Sequence, residues 1–356
     1  MKRIPLIIFG AGHVGRALVK QLIEAAALHA ERDGLALPIV AWCDRTGAAV
    51  DEDGLAPEAL QAIVAAKAGG TPLARTEFGY RQDYLVAIVD VAGADGCIVA
   101  DVTAGDATVP ALELALRRGY GVVTANKVPL TLDQATFDRL AGHRRFRYES
   151  TVGSAVPVIE TTRGLLRAAD RVDAIRGAFS GTLGFICTGL QGGQPFSTLV
   201  GEAMRRGYTE PDPRVDLGGV DVARKALILA RTLGWKMELS DVAVNSLIPA
   251  GLASLPLADF LARLPELDAD FAGRVAAAAE EGKVLRYVAE LKDGRATVGM
   301  QAVPADSALG QLKGNDNLVA FHTCYYPDTP LVLQGRGAGA DAAAAGVHSD
   351  IVALAG

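Results

Sequence analysis

Residues 6–15 read Leu-Ile-Ile-Phe-Gly-Ala-Gly-His-Val-Gly, an apolar run that breaks at a glycine-rich turn and opens into a helical pattern from Val14 to Ala30. No other ten residues restrict the fold as much. Gly10, Gly12 and Gly15 have the GxGxxG spacing of a dinucleotide loop. There the first glycine makes the tight turn, the second lets the backbone approach a pyrophosphate, and the third lets helix and strand pack closely. The helix N-terminus then faces the phosphate charge. His13 and Val14 lie inside this loop and belong to the expected cofactor contact. The plain alternative is an ordinary glycine-rich turn, which the strand before and the helix after disfavour.

Further β-rich runs at Pro38 to Cys43, Gly96 to Val102 and Gly121 to Thr124 alternate with helical stretches, one of them from Thr108 to Arg118 with Gly119 as its stop. Such alternation predicts a parallel, helix-covered sheet: an α/β fold of Rossmann-type, doubly wound architecture. Ligands bind at the carboxyl ends of its strands. The second strand ends in Asp44-Arg45, where an acid would take a ribose 2′-hydroxyl and a base a 2′-phosphate. Both are present, so NAD against NADP stays open, and Arg45 also reads as a plain surface charge. Asp101, Thr103 and Ala104 follow the strand Cys97 to Ala100 and are expected on the nicotinamide side, with Asn126 and Lys127 near them.

After Phe146 to Val152 the pattern changes, with loop signals at Gly153, Pro157, Gly181 and Gly184. A helix is expected from Gly218 to Leu233, and a hairpin from Lys283 to Leu291 and Ala296 to Val303 turning through Asp293-Gly294. The Ala-rich tail from Ala338 to Leu354 reads as a helix. A chain of 356 residues is long for one core. The expected division is a dinucleotide-binding domain at 1–150, completed by 336–356, and an α+β domain at 151–335 for substrate binding, catalysis and dimerisation.

Composition excludes several classes. A net charge of -6 gives no broad basic surface for nucleic acid or an anionic membrane. Cys43, Cys97, Cys187 and Cys324 are too far apart for a disulfide framework or a zinc site and read as buried thiols. The N-terminal apolar run stops too soon for a signal peptide, and charges interrupt the Ala-rich stretches, so a cytoplasmic protein is expected. His13, His29, His143, His322 and His348 are scattered without metal spacing and, His13 in the glycine loop apart, read as structural or surface residues.

Two later segments are more specific. Val122-Val123-Thr124-Ala125-Asn126-Lys127 ends a strand in an amide and an ammonium. Gly207-Tyr208-Thr209-Glu210-Pro211-Asp212-Pro213 leads into Asp216-Leu217-Gly218-Gly219-Val220-Asp221-Val222-Ala223-Arg224-Lys225. With Tyr148 to Gly153, Ser180 to Ile186 and Gly335 to Gly339, these resemble the homoserine dehydrogenase family over essentially the whole chain. The chain departs from the family pattern at Gly184 and Phe185, which replace a polar and a hydroxylated residue.

The resemblance implies interconversion of L-aspartate 4-semialdehyde and L-homoserine with NAD or NADP, in threonine and methionine biosynthesis, by a homodimer acting on a small-molecule substrate. It implies Lys225 as the acid that protonates the developing alkoxide and, as a neutral amine, takes the proton back. Burial or the like charge of Lys127 would ease that loss. Asp221, four residues before Lys225 on one helix face, would orient it. By itself such a pair is ordinary helix decoration. Glu210, Asp216 and Thr182 would receive the amino group of homoserine, and Gly337 would join the cofactor contacts. Asp216 or Asp221 could also cap the helix beginning near Gly218. A monovalent cation such as sodium would sit on backbone carbonyls at Glu149, Val152, Ser154 and Val156. No aspartokinase or regulatory domain is expected beside it, and hence no feedback control by threonine. The rivals are an inactive nucleotide-sensing homologue, which has no reason to keep this acid–base set, and a related reductase of another small amino-acid aldehyde. An acylating dehydrogenase would need a cysteine nucleophile beside a base, and none of the four has such a setting.

Overall fold

A computed structural model describes residues 1–82, 84–337 and 339–356. The chain divides into two compact units, Met1–Ala155 with Gly339–Gly356, and Val156–Ala338. The sequence reading puts the same limits at 150/151 and 335/336. Ala338, expected in the C-terminal glycine motif and at the head of the tail, lies outside the described residues.

The first unit is built on a seven-stranded sheet in the order Tyr80–Arg81, Gly47–Val50, Ile39–Cys43, Leu6–Phe9, Ile98–Asp101, Gly121–Thr124, Phe146–Arg147. The last five strands run parallel, and the first two continue as an antiparallel edge. Leu6, Ile7, Ile8 and Phe9 are all buried, as a strand covered on both faces requires. The chain leaves this central strand to either side, which creates a switch point at its carboxyl end, the place such sheets use for ligands. The register aligns Phe9 with Cys43 and Asp101, and Asp101 with Thr124. Gly10, Asp44, Val102 and Ala125 therefore emerge on one edge.

Where the sequence pattern changes, the strand Phe146–Arg147 gives way to a 3-10 turn at Glu149–Thr151. Gly96, expected in a strand, adopts a φ of 80° in the turn before it. The C-terminal helix Ala340–Ala355 packs on the first helix, His13–Leu28. Its Gly346 is required there, because a Cβ would come within 2.3 Å of Ser150 Oγ.

The second unit has a six-stranded sheet in the order Ala243–Val244, Arg295–Pro304, Lys283–Lys292, Val172–Ala178, Asp316–Thr323, Tyr326–Arg336. The hairpin Lys283–Lys292 to Arg295–Pro304 turns at Asp293 and Gly294 with φ of 51° and 72°. This is the doubly left-handed two-residue turn that an Asp-Gly pair favours. A second hairpin turns at Cys324-Tyr325, so Cys324 is exposed, against the expectation of four buried thiols. A hairpin tip has no layer above it. Helices Gly181–Gln191, Val220–Thr232 and Asp268–Glu280 pack on the central strands. Among the described residues no helix is long and apolar enough to cross a membrane.

Candidate active site

The glycine loop follows the division of labour read from its spacing. Gly10 has a φ of 109°, and a Cβ there would lie 2.8 Å from Val102 O; at Gly15 it would lie 2.0 Å from Gly10 O. Both positions exclude any side chain. Gly12 is exposed, with nothing within 4 Å of its absent Cβ. Open backbone at the head of the helix His13–Leu28 is what a pyrophosphate needs, so these residues fit a dinucleotide. His13 is exposed on the first helical position, and Val14 packs partly against the core.

Beside the loop, Asp101 is fully buried at the end of its strand. Its Oδ1 accepts from Thr103 N at 3.0 Å and Thr103 Oγ1 at 2.7 Å, and its Oδ2 from Thr108 Oγ1 at 2.7 Å and Asn126 Nδ2 at 3.1 Å. Burial pushes this carboxyl up, and the four donors oppose the rise. Asn126 is 2% exposed, and its amide also donates to Thr103 Oγ1 at 3.0 Å and Gly105 O at 2.6 Å, while Oδ1 accepts from Val128 N at 3.1 Å. The expected cofactor ligand is thus turned inward, where it ties the loop after Asp101 to the loop carrying Lys127. Thr103 keeps its hydroxyl in the same network, and Ala104 is exposed.

Asp44 is half-buried in a cluster of its own, with Thr46, Lys67 and Leu73, while Arg45 is exposed. Sequence spacing carries no sign of Lys67. Gly337 belongs to the second unit, where the Asn317 amide fills the space a Cβ would take and donates to Gly337 O at 3.2 Å. Of the carbonyls expected to hold a cation, Glu149 O accepts from Val152 N at 3.3 Å and Ser154 O from Ser150 Oγ at 3.4 Å; Val156 O, in the second unit, accepts from Val158 N at 2.8 Å. Each carbonyl keeps a second lone pair. Among the described residues no cluster of three His, Cys, Asp or Glu could hold a metal ion.

The second unit gathers the acid–base residues. Lys225 Nζ donates to Phe179 O at 2.7 Å and pairs with Asp221 Oδ2 at 2.8 Å; the Lys225 side chain is 13% exposed. An ammonium has three N–H groups, so these partners leave one. Asp216 accepts from Glu210 N at 2.9 Å and Thr182 Oγ1 at 3.3 Å, and Thr182 also donates to Tyr208 O at 2.5 Å. Glu210 is thereby held on an exposed corner by its own backbone. Burial raises the Asp216 carboxyl; the two donors oppose this, and the Glu210 and Asp221 carboxylates add to it. Neither aspartate occupies the N-cap position of the helix. It starts as Val220–Thr232 behind Gly219, whose φ is 76° and which makes no side-chain cap, because a left-handed residue takes the chain around the corner instead. Departing from the family pattern, Gly184 makes room for Gly314 O, 2.9 Å from where its Cβ would be, and Phe185 packs edge-on against Tyr208.

A family model described as homoserine dehydrogenase matches residues 157–352. The chain is 40% identical to the homoserine dehydrogenase of Emericella nidulans over 72% of this chain and 74% of that protein. It is 36% identical to the bifunctional aspartokinase/homoserine dehydrogenase of Haemophilus influenzae over 99% of this chain, and spans 43% of that protein's length. A crystal structure of a Candida auris protein of unknown function superposes with a TM-score of 0.86 at 32% identity, covering 100% of this chain and 99% of that one. The motifs, the doubly wound sheet and these likenesses agree: the chain belongs to the homoserine dehydrogenase family.

Proposed function

We propose that this chain interconverts L-homoserine and L-aspartate 4-semialdehyde with NAD(P) as cofactor, as a soluble cytoplasmic enzyme of threonine and methionine biosynthesis. The observation that carries this reading is Lys225: a nearly buried ammonium, fixed by Phe179 O and Asp221, with one N–H left over. That proton goes to the substrate oxygen in reduction and returns to the amine in oxidation. Asp221 orients Lys225. Glu210 and Asp216 receive the substrate ammonium, whose charge relieves the crowding of three carboxylates, and Thr182 braces Asp216.

Gly10, Gly12, His13, Val14 and Gly15 would hold the pyrophosphate, and Thr103, Ala104 and Lys127 the nicotinamide end, with Asn126 bracing their loops. When bound, the nicotinamide supplies or accepts the hydride. Gly337 and a sodium ion on the carbonyls of Glu149, Val152, Ser154 and Val156 complete the reading. A homodimer through the second unit is supported by its edge strand Tyr326–Arg336, where Leu331, Val332 and Leu333 are half-exposed and unpaired backbone is a template for a second chain.

The test is absorbance at the reduced-nicotinamide band while purified protein meets L-homoserine with NAD or NADP, beside Lys225→Ala. The parent turns over, and the variant loses at least about 100-fold in kcat while still binding cofactor. Parent protein that binds cofactor but turns over neither homoserine nor aspartate semialdehyde overturns the reading.

A further inference from the structure

Glu210 stands on an exposed corner two residues after Tyr208. A carboxylate there receives an ammonium well only if the corner is already held, because ordering a loose segment on binding costs affinity. Its backbone N–H is fixed by Asp216, and Thr182 donates to both Asp216 and Tyr208 O. A second grip lies three residues along the same helix, Gly181–Gln191. The half-buried Phe185 ring meets Tyr208 edge-on, with centroids 5.4 Å apart and planes at 72°, an arrangement that aromatic quadrupoles favour. The Arg206 guanidinium lies over the same Phe185 ring, 5.3 Å from its centroid, within reach of cation–π attraction. Arg206 pairs in turn with Glu202 on the helix Phe196–Arg205, and the Tyr208 phenol and the Glu202 carboxylate hold its pKa above the ordinary value. Residues 206 and 208 of one segment thus grip one ring, with Gly207 at a φ of 69° turning the chain between them. The helix is itself seated: a Cβ at Gly184 would lie 2.9 Å from Gly314 O, and Gly314 N donates to Thr188 Oγ1 at 3.2 Å.

We propose that Phe185 is a positioning residue for substrate binding: its ring, gripped by Tyr208 and Arg206, fixes the corner that presents Glu210 to the substrate ammonium. This deepens the reading of Glu210 as the receiver of that ammonium and rests on it. Phe185 has no polar group to offer a substrate and acts through Tyr208. The family pattern has a hydroxylated residue at this place, but the grip uses only the edge and face of the ring. Lys225 is held separately, by Phe179 O and Asp221, so loosening the corner weakens the hold on the ammonium and leaves the proton transfer in place.

The test is steady-state oxidation of L-homoserine by the full chain, with cofactor affinity measured separately by fluorescence of the reduced nicotinamide. Phe185→Leu raises KM for homoserine about five- to ten-fold, while kcat and cofactor affinity stay within about two-fold, the pattern of lost uniform binding. Phe185→Tyr, which keeps the ring, returns KM to within about two-fold of the parent. Arg206→Gln raises KM about two- to three-fold, and adding it to Phe185→Leu changes nothing more, because the guanidinium then has no ring to cover. An unchanged KM in Phe185→Leu, a fall in kcat as large as the rise in KM, or additive effects in the double variant overturns the proposal. Should Phe185→Leu fail to fold, the exposed Arg206→Gln decides, and an unchanged KM there overturns it. Glu210→Gln separates the two readings. If it raises KM and Phe185→Leu does not, the proposal alone falls; if it leaves KM unchanged, or the parent does not turn over homoserine, the reading of Glu210 falls and the proposal with it.

Discussion

His29 Nε2 lies 2.7 Å from His348 Nε2, a hydrogen bond between residues 319 positions apart that joins the end of the first helix to the C-terminal helix. His29 Nδ1 is bonded in turn to Asp33 Oδ2 at 2.8 Å. One proton serves the Nε2 pair, and a second would break it. Burial and the neighbouring His29 hold His348 down at about 4, against an ordinary value of 6.5. The unfolded chain therefore takes this proton first as pH falls. Stability is complete above pH 6.5 and is lost on the way to about pH 4, by roughly 2 kcal/mol after allowance for partial exposure. Calorimetry across this range should show Tm falling, and His348→Leu should lower Tm at pH 7.5 while flattening its pH dependence. An unchanged slope in the variant would assign the acid sensitivity elsewhere.

The glycine loop separates folding from binding. Gly15→Ala drives a Cβ into Gly10 O and should cost about 3 kcal/mol, visible as a reduced urea midpoint. Gly12→Ala meets no atom, so it should leave the midpoint nearly unchanged while weakening dinucleotide affinity at least about ten-fold. Equal loss of stability in both variants would deny Gly12 its ligand.

Asp216 sets a pH dependence in the substrate region. Its raised carboxyl gains a proton as pH falls and then ceases to attract an ammonium, so KM for homoserine should climb in acid while kcat changes less. Asp216→Asn should raise KM about ten-fold and remove that acid limb. The stability effect has the opposite sign. A carboxyl raised by folding stabilises the protein below its unfolded value of 3.8 and loses this as pH rises through the folded value, so Asp216→Asn should increase Tm at neutral pH.

At Gly219 a Cβ would lie 1.9 Å from Tyr287 Oη, at the head of the helix carrying Asp221 and Lys225. Gly219→Ala should cost about 3 kcal/mol through collision and left-handed strain and reduce kcat by disturbing Lys225. Tyr287→Phe in the same chain should return part of both, leaving about 1 kcal/mol of backbone strain. A double variant no better than Gly219→Ala would rule out the collision.

The sequence by itself determined the features that depend on near neighbours. Leu6 to Gly15 specifies strand, turn and helix because glycine alone admits these backbone approaches. Asp293-Gly294 specifies its hairpin through turn chemistry, and Asp221 with Lys225 shares a helix face through periodicity. Tertiary structure decided the partners. Phe179 O reaches Lys225 across 46 positions, Asn126 spends its amide inside the protein, Lys67 pairs with Asp44, and His348 meets His29. Spacing along the chain records none of these contacts, because a hydrogen bond between distant residues exists only after packing has brought both groups together and removed the water that would otherwise bind them.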